Sequence, residues 1–464
     1  MSAYPELQAM VLVCEFISYA STIFFALYMN ANIESVIVED EVVEYKKNCI
    51  DTKTAAIVVV GSGPVGMQFA NELMLRNIDI PVIVYGSEPV QPYNRVRLSD
   101  YLAGEVYRDT LSIDEPESDT AQIEFRYNCA VEWIDKDEKF IIDASGREQY
   151  YSKLVLVTGS TPFMPMFGNR HYKGVYTFRT LGEADELLSR KIRTRHTVVI
   201  GGGLLGLETA RAMQKYHTDI TIIEHNRWLM MHQLDEQGSA YLENFITESG
   251  IKVILGDSVV SVTGNGRVEG LTLRSGKIVE CDTLIIAAGV RPNISLARDA
   301  GLVFQKGIRI NNHLQTSAKD IYAIGECAEH DDNVYGLVKP GFDQAAVLAD
   351  RLTGGDARYV GSISATQLKV MSQAVFSAGR NGIDEEPGAS VSEYVFSDKD
   401  AGIYRKIRIF GNRIIGVIAV GEWHESAVIN EAIHEKRKFW FWHLLRFKAT
   451  GNIWGDADEV DVST

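Results

Sequence analysis

Two glycine-rich turns hold the residues with the clearest chemical capacity. Gly61, Gly63 and Gly66 follow the apolar run Ile57-Val58-Val59-Val60, and Gly201, Gly203 and Gly206 follow Val198-Val199-Ile200. Each turn has the spacing G-x-G-x-x-G between a β-branched run and a helical pattern. In that setting the glycines make a tight turn, let the backbone approach a pyrophosphate, and bring helix and strand close together. Pro64 and Val65, and Leu204 and Leu205, then open the helices whose N-termini meet the phosphates. One such turn is weak evidence. Two predict two dinucleotides in one molecule, and hence electron transfer between them. An acid after the second strand of such a unit binds ribose hydroxyls. Glu224 ends its strand and stands 23 residues after Gly201. A carboxylate there also repels a 2′-phosphate, which favours NADH over NADPH, with Arg227 as the one nearby feature against it. Glu88 is the matching acid of the first unit. It stands 27 residues after Gly61, far enough that a surface glutamate competes with the ribose reading.

These turns sit in an ordinary globular composition. The chain has 464 residues, 46% hydrophobic and 23% charged, so two to three domains are expected. A formal net charge of −16 argues against a nucleic-acid partner, which needs a basic face. The five cysteines (Cys14, Cys49, Cys129, Cys281, Cys327) form no C-x-x-C, and the ten histidines form no H-x-x-x-H. The expectation is no metal site, no iron–sulfur cluster and no redox dithiol, in a cytoplasmic protein. Residues 10–29 are apolar apart from Glu15 and a few small polar residues, long enough to span a bilayer. A carboxylate near mid-span and the lack of preceding basic residues favour a buried or partner-facing helix over a membrane anchor or signal peptide, although membrane association through this segment stays open.

Along the chain, residues 55–159 and 196–289 repeat one architecture: fingerprint, acidic strand end, meander, apolar strand, small-residue turn. The meanders are expected at residues 131–144 and near 253–272. Residues 360–430 read as a smaller α/β module. The fold class is therefore α/β, with two Rossmann-like, three-layer ββα dinucleotide-binding domains and a small C-terminal α/β domain.

Further segments add to the two turns: Tyr93-Asn94-Arg95-Val96-Arg97-Leu98-Ser99, Gly289-Val290-Arg291-Pro292-Asn293, Ile321-Tyr322-Ala323-Ile324-Gly325-Glu326-Cys327-Ala328 and Gly336-Leu337-Val338-Lys339-Pro340-Gly341. Together, over residues 55–430, they resemble the FAD and NAD(P)H pyridine nucleotide-disulphide oxidoreductase-like flavoproteins. Within them they are most similar to the flavoprotein part of NADH-dependent nitrite reductase large subunits and to rubredoxin–NAD reductases. The resemblance implies an FAD-binding domain from residues 55–165 and 290–355, an NAD-binding domain at 166–289, an interface domain at 356–430 and a tail at 431–464, with residues 1–54 outside the match.

The same resemblance implies roles. Gly61, Gly63, Pro64, Val65 and Gly66 hold the FAD pyrophosphate, Glu88 its adenosine ribose, and Val131 touches adenine. Arg95 and Arg97 run under the flavin with Ser99. Relatives often carry Lys where this sequence has Asp100, which removes that lysine's role. Thr158, Gly159 and Gly289 approach the cofactors by backbone, and Gly325 with Glu326 reaches the ribityl chain. Lys339 begins the helix at the pyrimidine end of the flavin. Glu208 resembles a glutamate near nicotinamide and flavin; otherwise it is a first-turn helix acid that the dipole favours. Glu208, Arg97 and Lys339 are thus the residues nearest the reaction, although hydride transfer needs no protein acid or base. Cys129 and Cys327 read as packed small hydrophobes. The cysteine-rich modules of a full nitrite reductase are missing, so the implied acceptor is a separate one-electron carrier, rubredoxin-like, or a nitrite-reducing partner. An NADH oxidase or diaphorase using oxygen or quinone, and a non-catalytic NADH-sensing flavoprotein, are the rivals. A homodimer is compatible with all three. The basic, aromatic run at 436–448 reads as a helix packing its aromatics on the body, with an acidic-carrier dock or a membrane-surface helix as sharper alternatives.

Overall fold

The structure, a computed structural model, describes residues 50–116, 122–165, 172–362, 365–371, 373–382 and 391–454. The apolar segment at 10–29 lies outside the described residues, and no helix among those described is long and apolar enough to cross a membrane.

The run Ala56–Val60 is a strand buried at every residue. Such continuous burial requires cover on both faces, as in a parallel sheet. Its neighbours are Val82–Tyr85 and the second half of the long strand Glu148–Leu156, both parallel to it. Ile123–Arg126 extends the sheet on one side and Ile321–Ala323 on the other. The first half of Glu148–Leu156 instead pairs antiparallel with Phe140–Asp143, which pairs with Val131–Asp135, giving the first meander. The helices Pro64–Leu75 and Val338–Leu352 pack on each other.

The second sheet has the same plan. Lys252–Leu255, Asp219–Glu224, His196–Ile200, Thr283–Ile286 and Val175–Thr177 run parallel in that order. The second meander is Val259–Thr263, Gly270–Leu273 and Ile278–Glu280. It begins later than expected from the sequence. Val253 pairs with Ile222 in the parallel sheet, and Gly256, at φ +67°, makes the turn that ends that strand. Between the two sheets, Ser160–Pro162 and Val290–Pro292 cross as an antiparallel pair.

The third unit is a five-stranded antiparallel sheet in the order Ala365–Val370, Gln373–Gly379, Arg413–Val420, Ile403–Phe410, Ser392–Asp398, followed by helices Ser426–His434 and Phe441–Thr450. The aromatic run does not form one helix. Lys438 bridges to Arg413 and the Phe439 N–H bonds Asn412 O, so that stretch is extended. Its packing also departs from expectation. Phe439 and Phe447 are buried, whereas Trp440, Phe441 and Trp442 face outward.

Candidate functional site

The two glycine turns are superimposable in logic. At Gly61, where φ is +127°, an added Cβ would run into the carbonyl oxygen of Val157, and at Gly201, at φ +114°, into that of Ala287. At Gly66 and Gly206 it would run into the carbonyl of the first glycine of the same turn. These four positions are closed by backbone, which cannot yield. At Gly63 and Gly203 an added Cβ would meet no atom within 4 Å, so each faces open space. Each is also the N-cap of its helix, with no side-chain cap and no acid in the first turn. An open, uncapped, acid-free helix start fits a pyrophosphate. Pro64 and Val65, and Leu204 and Leu205, form those helix starts.

Glu224 is buried behind the second turn. Its Oε2 accepts from the Gly202 N–H at 2.6 Å, and its Oε1 from the N–H and Nδ2 of Asn226 at 2.8 and 2.7 Å. The carboxylate is thus fixed as a negative wall at the mouth of that turn. Glu88 is held differently: Arg95 Nη2 reaches its Oε1 at 2.6 Å and Tyr93 OH donates to its Oε2 at 2.8 Å. Both of its oxygens have protein partners, as both of Glu224's do, but here one partner is a cation.

Helix Leu98–Leu102 packs on Leu204–Gln214 and brings the two halves together. Across this contact Ser99 Oγ donates to Glu208 Oε2 at 2.9 Å. Glu208 is the fifth residue of its helix, not a first-turn acid, so the dipole does not explain it. Burial pushes its carboxyl up to about 7; the Ser99 bond opposes this, Asp100 adds to it, and Arg211 opposes it. Arg97 is half exposed beside Asp100 at 3.6 Å. Lys339, in the first turn of Val338–Leu352, is mostly exposed and faces Asp343 at 3.7 Å. Glu208, Arg97 and Lys339 therefore share no hydrogen bond or ion pair among the described residues.

The crossing strands and the turns beside them gather several of the remaining candidates. Thr158 Oγ1 donates to Asn293 O at 2.7 Å, and the Gly159 carbonyl accepts from the Asn293 N–H at 2.9 Å. Gly289 accepts from the Phe163 N–H at 2.9 Å. Gly325 donates to Gln344 Oε1 at 2.7 Å. Val131 is buried in the first meander. Glu326 accepts from Ser160 Oγ at 2.7 Å and pairs with Arg179 Nη2 at 2.5 Å. It opens on a cavity of about 780 Å³ that Arg291, Arg298 and Lys306 also line. Arg179 escaped the sequence reading. It lies in no motif, and its only signal is a lone cation just before the capping box of Thr180 and Glu183. Arg179→Met leaves Glu326 with Ser160 alone, and breaking a largely desolvated pair is costly. The expected outcome is about tenfold looser flavin retention, read by FAD released on gel filtration.

Cys129, Cys281 and Cys327 are free thiols. Burial pushes Cys281 up to about 12, so it is no ready nucleophile.

The family described as pyridine nucleotide-disulphide oxidoreductase matches residues 55–347. The chain belongs to this family. Membership implies FAD and NAD(P)H as its cofactors. A second family, the rubredoxin NAD+ reductase C-terminal domain, matches residues 365–437, the five-stranded sheet and the helix after it. Among curated relatives, the nitrite reductase [NAD(P)H] of Bacillus subtilis (strain 168) is 36% identical over 80% of this chain and 46% of its own length. The chain thus spans about half the length of that relative. Rhodocoxin reductase of Rhodococcus erythropolis is 31% identical over 79% of this chain and 86% of its own. Among solved structures, NADH:rubredoxin oxidoreductase from Clostridium acetobutylicum is 25% identical, with a TM-score of 0.69, covering 83% of this chain and 97% of that one.

Proposed function

We propose that the chain is an FAD-dependent oxidoreductase that takes hydride from NADH and passes electrons to a separate one-electron acceptor, a rubredoxin-like carrier or a nitrite-reducing partner. The observation that carries this reading is the pair of open, uncapped helix starts at Gly63 and Gly203, with the Ser99–Glu208 contact tying the segment Leu98–Leu102 to the second of these helices. When bound, FAD supplies two-electron acceptance and one-electron release, which lets a hydride donor serve a one-electron carrier. The protein's share is placement. Gly61, Gly63 and Gly66 leave room for one pyrophosphate, and Gly201, Gly203 and Gly206 for the other. Ser99 and Glu208 hold the two halves in register, and Arg179 neutralises Glu326 beside the crossing strands. In this reading residues 55–165 with 290–355 hold FAD, and 166–289 hold NADH.

Anaerobic mixing of the holoprotein with NADH and rubredoxin tests it. Loss of the flavin's visible absorbance, followed by rubredoxin reduction, supports the reading. A flavin that stays oxidised overturns it, and a flavin that reduces but reoxidises only in air turns it into an oxidase.

The preference for NADH rests on Glu224. Glu224→Gln keeps the shape of the side chain and removes its charge. The NADH/NADPH ratio of kcat/KM should fall about tenfold, equivalent to about 1.4 kcal/mol of lost repulsion. Steady-state kinetics with both nucleotides checks this; an unchanged ratio removes Glu224 as the discriminator.

A further inference from the structure

The helix Phe441–Thr450 is held firmly and yet presents an apolar face outward. Its entry is tied by the Phe439 N–H to Asn412 O at 2.7 Å, and Phe439 and Phe447 are buried in the core of the third unit. Its exit turns at Gly451, φ +73°. Beyond it, Glu425 accepts the N–H groups of Ile453 and Trp454, each at 2.6 Å, while Arg405 holds Gly451 O and Asn452 Oδ1 at 3.0 and 2.6 Å. Between these fixed ends, Trp440, Phe441, Trp442 and Leu445 are 46–69% exposed. Trp440 and Trp442 stack, 5.4 Å between ring centroids.

At about 100° per residue, Phe441, Leu445, Ala449 and Trp442 fill one outward sector. Lys448 borders it on one side and Arg446 on the other. Lys436 and Lys438 precede it, and no acid occurs from 436 to 450, in a chain of net charge −16. An apolar sector with no charge inside it, cations on both borders and tryptophan at one end is the layout of a helix lying in a lipid interface: rings enter the headgroup boundary and the longer stems carry their charges up to phosphate. Cations on both borders with no acid between 436 and 450 match a phosphate-bearing surface, and an acidic protein carrier, the rival for the same charges, is decided by the rubredoxin arm of the test.

We propose that Phe441–Thr450, with Trp440, is an interfacial anchor that seats the protein on an anionic lipid surface. The inference is independent of the proposed electron acceptor. The test uses the full-length holoprotein, because residues 1–49 carry an apolar segment of their own. Co-sedimentation with phosphatidylcholine vesicles, with and without phosphatidylglycerol, is compared between the wild type and a Phe441→Ser/Trp442→Ser/Leu445→Ser triple variant. These side chains are exposed, so the fold is expected to survive; flavin content and circular dichroism verify it. The wild type should bind phosphatidylglycerol vesicles about tenfold more tightly than the variant, weaken with salt, and lose tryptophan emission to brominated acyl chains. Trp440→Phe/Trp442→Phe should abolish that quenching. Wild-type tryptophan emission that brominated chains leave unquenched while the protein is bound, or binding by neither protein, overturns the proposal, whatever binding residues 1–49 add to both. So does a wild-type dimer that forms without vesicles and is lost in the triple variant, which assigns the face to a second copy. Slower rubredoxin reduction by the triple variant, with no vesicle binding by the wild type, assigns it to a protein carrier.

Discussion

Gly203→Glu yields a protein that folds, keeps its flavin and no longer accepts hydride from NADH at a useful rate. The position is an N-cap at φ −83°, within the reach of any residue, and open space lies in front of it. A glutamate side chain is therefore tolerated by the fold. It projects its carboxylate where the pyrophosphate must lie, turning a helix start that attracts anions into one that repels them. KM for NADH should rise at least about 100-fold, or about 2.7 kcal/mol. Anaerobic stopped-flow reduction of the flavin reads this directly, with flavin content and melting temperature as controls. Gly206→Ala is the informative contrast. Its methyl group would meet the Gly201 carbonyl oxygen, so helix and strand must part and stability falls by about 1–3 kcal/mol. If Gly203→Glu reduces its flavin normally, the second turn holds no pyrophosphate.

The second large effect is on pH. The Glu208 carboxyl titrates at 4.5 when unperturbed and is pushed up to about 7 by burial in the fold. Below 4.5 both folded and unfolded chains hold the proton. Between these values the folded protein keeps it and the unfolded chain has released it, so raising the pH favours unfolding. The loss is complete above 7 and amounts to about 3 kcal/mol. Glu208→Gln has no proton to release, so its stability should exceed that of the wild type progressively from pH 5 to pH 8. Ser99→Ala withdraws the hydrogen bond that favours the ionised form and should steepen the wild-type decline. Urea unfolding of flavin-free protein at a series of pH values checks both. Parallel curves for wild type and Glu208→Gln would refute the assignment. Comparing variants is essential, because burial also raises Glu425 while hydrogen bonds lower Asp143.

What is legible in the chain alone is what the backbone dictates locally. The fingerprint glycines can be read because each role is set by its neighbours along the chain. The two parallel sheets follow from β-branched runs such as Ile57-Val58-Val59-Val60. Where a run of similar composition could join either of two sheets, local pattern does not decide. Val253-Ile254-Leu255 looks like a meander strand, and only the edge offered by Thr221–Glu224 assigns it to the parallel sheet. Long-range pairs are invisible for the same reason. Arg179 and Glu326 are 147 positions apart, and nothing local in Tyr176-Thr177-Phe178-Arg179 announces a partner. The tail is legible in composition but not in orientation. Which ring of Phe439, Trp440, Phe441 and Trp442 turns inward depends on the backbone bonds to Asn412 and Arg413, which end the helix at Phe441.

The pairing of Ile321–Ala323 with Leu154–Leu156 has a consequence for biosynthesis. A ribosome making this protein completes the second sheet, whose strands lie within residues 175–286, before the first sheet receives its last strand. For about 170 residues of synthesis, or about 10–30 s at typical elongation rates, the backbone of Leu154-Val155-Leu156 is an uncovered, fully apolar edge. Such edges template intermolecular strand pairing. The nascent protein therefore carries an open apolar edge throughout the synthesis of its second sheet, and a chaperone that holds the growing chain would act at this interval.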